Sequence, residues 1–300
     1  MVVMTDTTAP LSTPATTAAD LHRLGREVVL NDGTPMPTLG FGVWQLEGEV
    51  AYTAVRRAIE VGYRHIDTAA IYRNEEQVGR AIRDAVAAGD VTRDELFVTT
   101  KLWNDQHTEP ERGFQQSLER LGLDYVDLYL LHWPCPAAKT MVGAFDGMAK
   151  MQGFGTIQSI GVANFFPAAL DELISRCGIT PAVNQVEIHP GFSQPEVRAV
   201  DAAKGIVTQA WSPLGQGKTL EHPVVRAIAE ESDATPAQVC IAFALGTGSV
   251  VLPRSSHPER IEENFRAQDL VLTDDQMQRL LDMDSADGRI GPDPHTFPAA

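Results

Sequence analysis

Short apolar runs alternate with amphipathic stretches along most of the chain. "LGFGVW" (39–44), "HIDTA" (65–69), "LFVTTK" (96–101), "VDLYLLH" (126–132), "SIGVAN" (159–164), "AVNQVEIH" (182–189), "IVTQAWS" (206–212) and "VVLP" (250–253) make eight candidate strands. Several are apolar on both faces, the pattern of parallel strands covered by helices. The segments between them carry helical spacing and end signals. Asn74 with Gln77 resembles a capping box, Val78, Ile82 and Val86 mark one face, and Gly89 suits the stop. Thr235-Pro236 reads as an N-cap and first-turn proline ahead of Val239 and Phe243, and Thr273-Asp274-Asp275 repeats that chemistry before Met277, Leu280 and Leu281.

Strand followed by helix, repeated eight times, predicts a single α/β unit, a closed (β/α)8 TIM barrel of ~250 residues. An open dinucleotide-binding sheet would want Gly-x-Gly-x-x-Gly in its first turn, and "GFGVWQ" (40–45) lacks the third glycine and the helix start. "VVLNDGTPMP" (28–37) predicts an N-terminal β-hairpin, with Asn31-Asp32-Gly33 as its turn, closing the barrel floor. Residues 1–25 are rich in Thr, Ala and Pro, with neither a basic start nor an apolar secretion core, and are expected to form a flexible extension. The barrel is expected over 26–300, with no linker dividing it.

Composition narrows the function. The chain has 300 residues, 43% of them hydrophobic, and a formal net charge of -16. So acidic a protein lacks the basic field that nucleic acid or an anionic membrane would require. No apolar run approaches the ~20 residues that span a bilayer. Cys135, Cys177 and Cys240 are scattered, without Cys-x-x-Cys or a His at metal-ligand spacing, so neither a disulfide framework nor a metal site is expected. A cytoplasmic monomer acting on a small molecule fits these limits.

In a barrel, chemistry gathers at the C-terminal strand ends. Asp67 ends the second candidate strand, Tyr72 follows in the loop, Lys101 ends the third and His132 the fourth. Taken singly, each has a plainer explanation: a solvated lysine, a packing tyrosine, an aspartate capping a turn, a histidine at a strand terminus. Together they make chemical sense. A buried ammonium beside a phenol is expected to lower its pKa from about 10 toward working pH, readying it to donate a proton to a forming alkoxide. Asp67 would keep Lys101 charged and aimed, and His132 would orient a carbonyl oxygen.

Three long segments then carry a family resemblance. "GYRHIDTAAIYRNEEQVG" (62–79), "DLYLLHWP" (127–134) and "LPRSSHPERIEENF" (252–265) resemble the signatures of the aldo-keto reductases, in particular the bacterial 2,5-diketo-gluconate reductase branch, and the likeness runs from about Val28 to Phe297. It implies a (β/α)8 barrel, a tetrad on Asp67, Tyr72, Lys101 and His132, and NADPH/NADP+ bound across the mouth without a Rossmann domain. By position it puts Asn164 and Gln185 on the nicotinamide carboxamide and Trp211 on the ring face. Ser212, Leu214 and Gln216, with "GQGK" (215–218), would flank the pyrophosphate. Arg254, Ser255 and Arg260 would take the 2'-phosphate, and Glu263 and Asn264 the adenine.

Two cations at a helix start agree with phosphate binding, although a helix end paired with Glu262 or Glu263 would look the same in sequence. Ala163 stands where the family usually has Ser, Arg254 where Lys is commoner, Phe145 for a common Trp and Thr156 for Lys or Arg. Trp44, Trp103 and Trp133, each just beyond a rim strand, are the expected substrate-pocket residues, with the plugging of the barrel top as the alternative. His189 matches no tetrad position and reads as structural. A glycosidase would need two rim carboxylates, for which Asp67 and Glu187 are candidates. A metallohydrolase would want His-x-His, where the chain offers only His65-Ile66-Asp67. A nucleotide-binding regulatory subunit is the non-enzymatic alternative.

Overall fold

A computed structural model describes residues 26–298, and the extension expected over residues 1–25 lies outside the described residues. The first two strands, β1 (Glu27–Val29) and β2 (Pro35–Pro37), form the expected antiparallel hairpin. Its turn is closed by Leu30 N–H to Thr34 O and Gly33 N–H to Leu30 O, both 2.9 Å, with Gly33 at φ 91°, where a side chain is disfavoured. Met36 is buried with Phe97, Leu128, Val183 and Val250 beneath the barrel, so the hairpin is its floor.

Eight parallel strands follow: β3 (Phe41–Gly42), β4 (His65–Asp67), β5 (Phe97–Leu102), β6 (Val126–Leu131), β7 (Ile157–Ala163), β8 (Val183–Glu187), β9 (Val207–Trp211) and β10 (Val250–Leu252). Each pairs with the next in sequence. The ends meet through a parallel bridge from Leu39 to Val251 and bonds from Gly40 N–H to Val251 O (2.9 Å) and Gly42 N–H to Pro253 O (3.0 Å). That seam needs a glycine: a Cβ at Gly40 would lie 2.6 Å from the Leu252 side chain and 2.8 Å from the His65 ring. β3 is shorter than the expected 39–44, and beyond it Gln45 takes φ 61°.

The outer layer comprises α1 (Gly48–Val61), α2 (Glu75–Ala88), α3 (Pro110–Leu121), α4 (Met141–Gln152), α5 (Pro167–Cys177), α6 (Pro195–Ala203), α7 (Pro223–Glu231), α8 (Pro236–Gly246), α9 (Pro258–Arg266) and α10 (Asp274–Leu281). The capping boxes at Thr235 and Thr273 form, completed by Gln238 and Gln276, and Gly89 ends α2 in the left-handed region. The box expected at Asn74 does not. Its amide is spent on other loops, accepting from Thr68 Oγ1 (2.8 Å) and donating to Val43 O and Leu46 O (both 2.9 Å). Val86 is 36% exposed, so the inward face of α2 is Val78, Ala81, Ile82 and Ala85.

Candidate active site

Four side chains meet where β4, β5 and β6 end. Lys101, on β5 and 0% exposed, donates to Asp67 Oδ1 (2.6 Å), Thr68 O (2.8 Å) and the Tyr72 hydroxyl (3.4 Å). Asp67 ends β4, and its other oxygen accepts from Gln185 Nε2 at 2.8 Å. Tyr72 closes a 3-10 turn over Ala70–Tyr72, just before Arg73 at φ 56°, and the Asn74 amide ties this loop to the one after β3. His132 follows β6 directly, its ring edge-on to both Tyr72 (5.8 Å) and Trp103 (5.1 Å). Strand pairing thus gathers residues far apart in sequence.

The electrostatics correct one expectation. Tyr72 is shifted well above its ordinary pKa rather than below, chiefly by burial and then by the Asp67 charge. The reason is geometric: the Lys101 ammonium is neutralised by the carboxylate 2.6 Å away, so the phenol meets little net positive charge and desolvation prevails. Burial lowers Lys101 itself, opposed by Asp67. His132 is pushed well below the usual imidazole range by burial, then by Lys101 and His107. The chemistry on offer is a loaded phenol, a cation beside it and a neutral imidazole.

The residues expected to hold a cofactor line the next strand ends. Asn164, at φ 63° just past β7, donates to His132 O (3.0 Å) and accepts from Trp211 Nε1 (2.9 Å), which holds the indole in place. Gln185 pairs with Ala163 in register and donates to Asp67 and to Gln209 Oε1 (2.6 Å). After β9, Ser212, Gly215, Gln216 and Gly217 all have positive φ, bending the loop that contains Leu214. Ser255 is buried and accepts from His257 N–H (3.1 Å) at the start of α9. Arg260 is exposed on the first turn of α9, and no ion pair among the described residues includes it, while Glu262 pairs with Arg57 and Arg266.

Arg254 stands apart from this pair. Its Nε donates to Trp44 O (3.0 Å) and its Nη2 to Gln45 Oε1 (3.1 Å), so the guanidinium bridges the first and last loops of the mouth. Glu263 accepts from Thr235 Oγ1 at 2.6 Å, fastening the start of α8, and Asn264 is buried. The donor set fits a phosphorylated dinucleotide: two amides beside a flat indole at one end, and a helix N-terminus with a hydroxyl and an unpaired cation at the other.

Of the three expected tryptophans, Trp103 and Trp133 flank His132, but Trp44 is 42% exposed and outside their aromatic cluster. Its place is taken by Phe297, stacked on Trp133 at 4.1 Å and edge-on to Trp103 at 6.2 Å. The C-terminal segment is held there at two points: Glu187, buried at the end of β8, accepts from Ile290 N–H (2.6 Å) and Gly291 N–H (2.9 Å), and Pro298 O accepts from Asn104 Nδ2 (3.1 Å). A Cβ at Gly291 would fall 2.4 Å from the Trp211 ring. The sequence carried no signal for this return beyond Glu187 itself, which read only as a rim carboxylate. Asp67 and Glu187 are both committed to internal donors, unlike a glycosidase pair. His189 is held between Glu187 Oε1 (2.9 Å) and Pro190 O (3.0 Å), and His65 faces Thr99 Oγ1 (3.1 Å) and Pro37 O (3.4 Å).

Comparison with known proteins gives the family and the fold. The Aldo/keto reductase family profile matches residues 38–284. Methylglyoxal reductase DkgA of Escherichia coli (strain K12) is 47% identical over 272 residues, covering 90% of this chain and 97% of the relative. An aldo-keto reductase of Mycolicibacterium smegmatis is also 47% identical with the same coverage. Among solved structures, a Gox0644 variant in complex with NADPH superposes with a TM-score of 0.85 at 38% identity, covering 90% of this chain and 98% of that one. Bombyx mori aldo-keto reductase in complex with NADP gives 0.81 at 35% identity, covering 86% and 92%.

Proposed function

This chain belongs to the aldo/keto reductase family, and we propose that it reduces a small aldehyde, ketone or keto sugar with NADPH, using Tyr72 as the proton donor. The observation carrying this reading is the convergence of Tyr72, Lys101, Asp67 and His132, with Lys101 Nζ 2.6 Å from Asp67 Oδ1 and 3.4 Å from the phenol. NADPH, when bound, supplies the hydride. The protein's own residues supply the rest.

Because burial raises its pKa, Tyr72 stays protonated across the working range, and its proton leaves only as a strongly basic alkoxide develops beside it. Lys101 then stabilises the phenolate left behind, aimed by Asp67 and Thr68 O. His132, neutral for the same reason of burial, donates from Nε2 to the carbonyl oxygen and fixes its approach. Asn164 and Gln185 would hold the carboxamide and Trp211 the ring face. Ser212, Leu214 and Gln216 would flank the pyrophosphate. Arg260 and Ser255 would take the 2'-phosphate, with Arg254 joining them on release of Gln45, and Glu263 and Asn264 would border the adenine. Trp103 and Trp133, with Phe297, would form the apolar wall of the substrate pocket, and Trp44 its outer lip.

Loss of NADPH absorbance against a panel of aldehydes, dicarbonyls including methylglyoxal, and keto sugars tests the reading. Turnover of at least one class, lost in Tyr72→Phe, is the expected result. NADPH binding without turnover of any of them would favour the regulatory-subunit alternative.

A further inference from the structure

Three buried polar atoms beside the mouth have no hydrogen-bond partner among the described residues: His132 Nδ1, His107 Nε2 and Asn104 Oδ1. Buried polar atoms are rarely left so, and several together mark a shared partner. The fold brings them to one place. His132 N–H donates to Leu102 O (3.2 Å), joining the ends of β5 and β6, and Trp103, Asn104 and His107 continue from Leu102. The Trp103 ring lies edge-on to His132, and His107 is near enough that its protonated form would depress the His132 pKa.

His107 is 3% exposed and His132 7%. His107 is itself anchored, its Nδ1 lying 3.0 Å from Thr140 Oγ1 in the loop after β6. Burial holds His107 at about 4, so both rings are neutral at ordinary pH. A neutral imidazole carries a single N–H, and the partner of one nitrogen decides the protonation of the other.

We propose that His107 is a positioning residue that sets the tautomer of His132. Thr140 Oγ1–H donates to His107 Nδ1, and one internal water accepts from His107 Nε2–H and donates to His132 Nδ1 and to Asn104 Oδ1. His132 must then carry its hydrogen on Nε2, the form able to donate to a carbonyl oxygen. No covalent bond changes and no proton is transferred: the chain is a polarity device that keeps a donor facing the mouth. The inference rests on His132 meeting the carbonyl.

The test is a long-range proton–nitrogen NMR correlation on the 15N-histidine-labelled protein without substrate, paired with kcat, KM and the NADPH Kd. The parent should show His132 protonated on Nε2. In His107→Leu the ring should become a tautomer mixture and kcat should fall roughly tenfold to a hundredfold, the range for losing a histidine's orienting partner, with NADPH Kd unchanged. His107→Gln, which restores a polar group near the Nε2 position, should recover most of kcat. If His107→Leu fails to fold, Thr140→Val gives the same readout through loss of the hydroxyl that orients His107. An unchanged His132 tautomer in the folded variants overturns the proposal. A shifted tautomer with kcat intact leaves the hydrogen bond standing and removes His132 from the carbonyl, overturning the functional reading instead.

Discussion

The Lys101 ammonium sits 2.6 Å from Asp67 Oδ1 but 3.4 Å from the Tyr72 hydroxyl, so the lysine belongs to the carboxylate first and the phenol second. That inequality decides how the site stores its proton. A cation free to face the phenol would favour phenolate. A neutralised one leaves burial in control, and the phenol stays a weak acid until negative charge appears next to it. The same pairing makes Asp67 a risk to remove, since a fully buried cation left alone is costly.

Asp67→Asn keeps the shape of the carboxylate while discarding its charge. Breaking a buried pair in this way costs about 3–5 kcal/mol, unless Lys101 sheds its proton. The expected outcome is a clear fall in the urea midpoint together with a large loss of kcat. Full stability with full activity would show that the pair is not coupled to the chemistry.

Tyr72→Phe removes the acid and almost no volume. It should lower kcat by ~10^2- to 10^4-fold, with the NADPH Kd within a few-fold of the parent by fluorescence quenching. A rate close to the parent's would take Tyr72 out of the proton-donor role.

Stability should fall with acid, and the sign follows from the histidines. His65 and His107 are held at about 4 by burial, below the ordinary imidazole value of about 6.5, and His132 is shifted in the same direction. Their stabilising effect is complete above about pH 6.5 and is lost as pH falls toward 4, because the unfolded chain takes up protons the native core refuses. Buried Asp201, raised to about 7, and Asp127, raised in the same direction by burial, oppose this by staying protonated where the unfolded chain is ionised. Three groups outweigh two, so stability should rise with pH across the window. His107→Gln should flatten that slope by about 1.4 kcal/mol per pH unit, measured by urea unfolding between pH 4.5 and 6.5. A slope identical to the parent's would mean that His107 titrates normally.

Cofactor choice should depend on Arg260. Charge-assisted hydrogen bonds are worth about 1.5–3 kcal/mol, so Arg260→Ala should weaken NADPH roughly ten- to a hundredfold and NADH far less. Arg254→Ala should be less selective, since its guanidinium already holds Trp44 O and Gln45. Equal losses for both cofactors in Arg260→Ala would make Arg260 a helix-end residue only.

The barrel and the meeting of Asp67, Tyr72, Lys101 and His132 at its rim were legible because each determinant is local. Asp67, Lys101 and His132 lie at the ends of apolar runs, and register alone then brings them together. What escaped depends on contacts between distant segments. Arg254 reads as a cation without a partner, and its acceptor on Trp44, 210 residues away, is not legible in the chain. Asn74 reads as a helix cap, yet its amide finds stronger use between two loops. The direction of the Tyr72 shift followed from its burial and from the Asp67 charge beside it, which no spacing in the chain encodes.

The C-terminal return across the mouth gives the last expectation. Glu187 accepts from two successive backbone N–H groups, Ile290 and Gly291, and also faces His189. No other acceptor for those amides exists among the described contacts, so the carboxylate holds the strap that brings Phe297 against Trp133 and Trp103. Glu187→Ala removes the anchor without touching the tetrad. The strap should then loosen, which limited proteolysis after Arg289 would detect, and Phe297 should leave the aromatic wall. Substrates with an apolar face should lose affinity, with KM rising roughly tenfold or more for the burial of about one aromatic side chain, while small polar dicarbonyls and the NADPH Kd change little. Phe297→Ala should reproduce the KM effect without the proteolytic cleavage. If Glu187→Ala raises KM for all substrates equally, or leaves the strap as resistant as the parent, the carboxylate is only a strand-end residue and the wall is held by its own stacking and by the bond from Asn104 Nδ2 to Pro298 O.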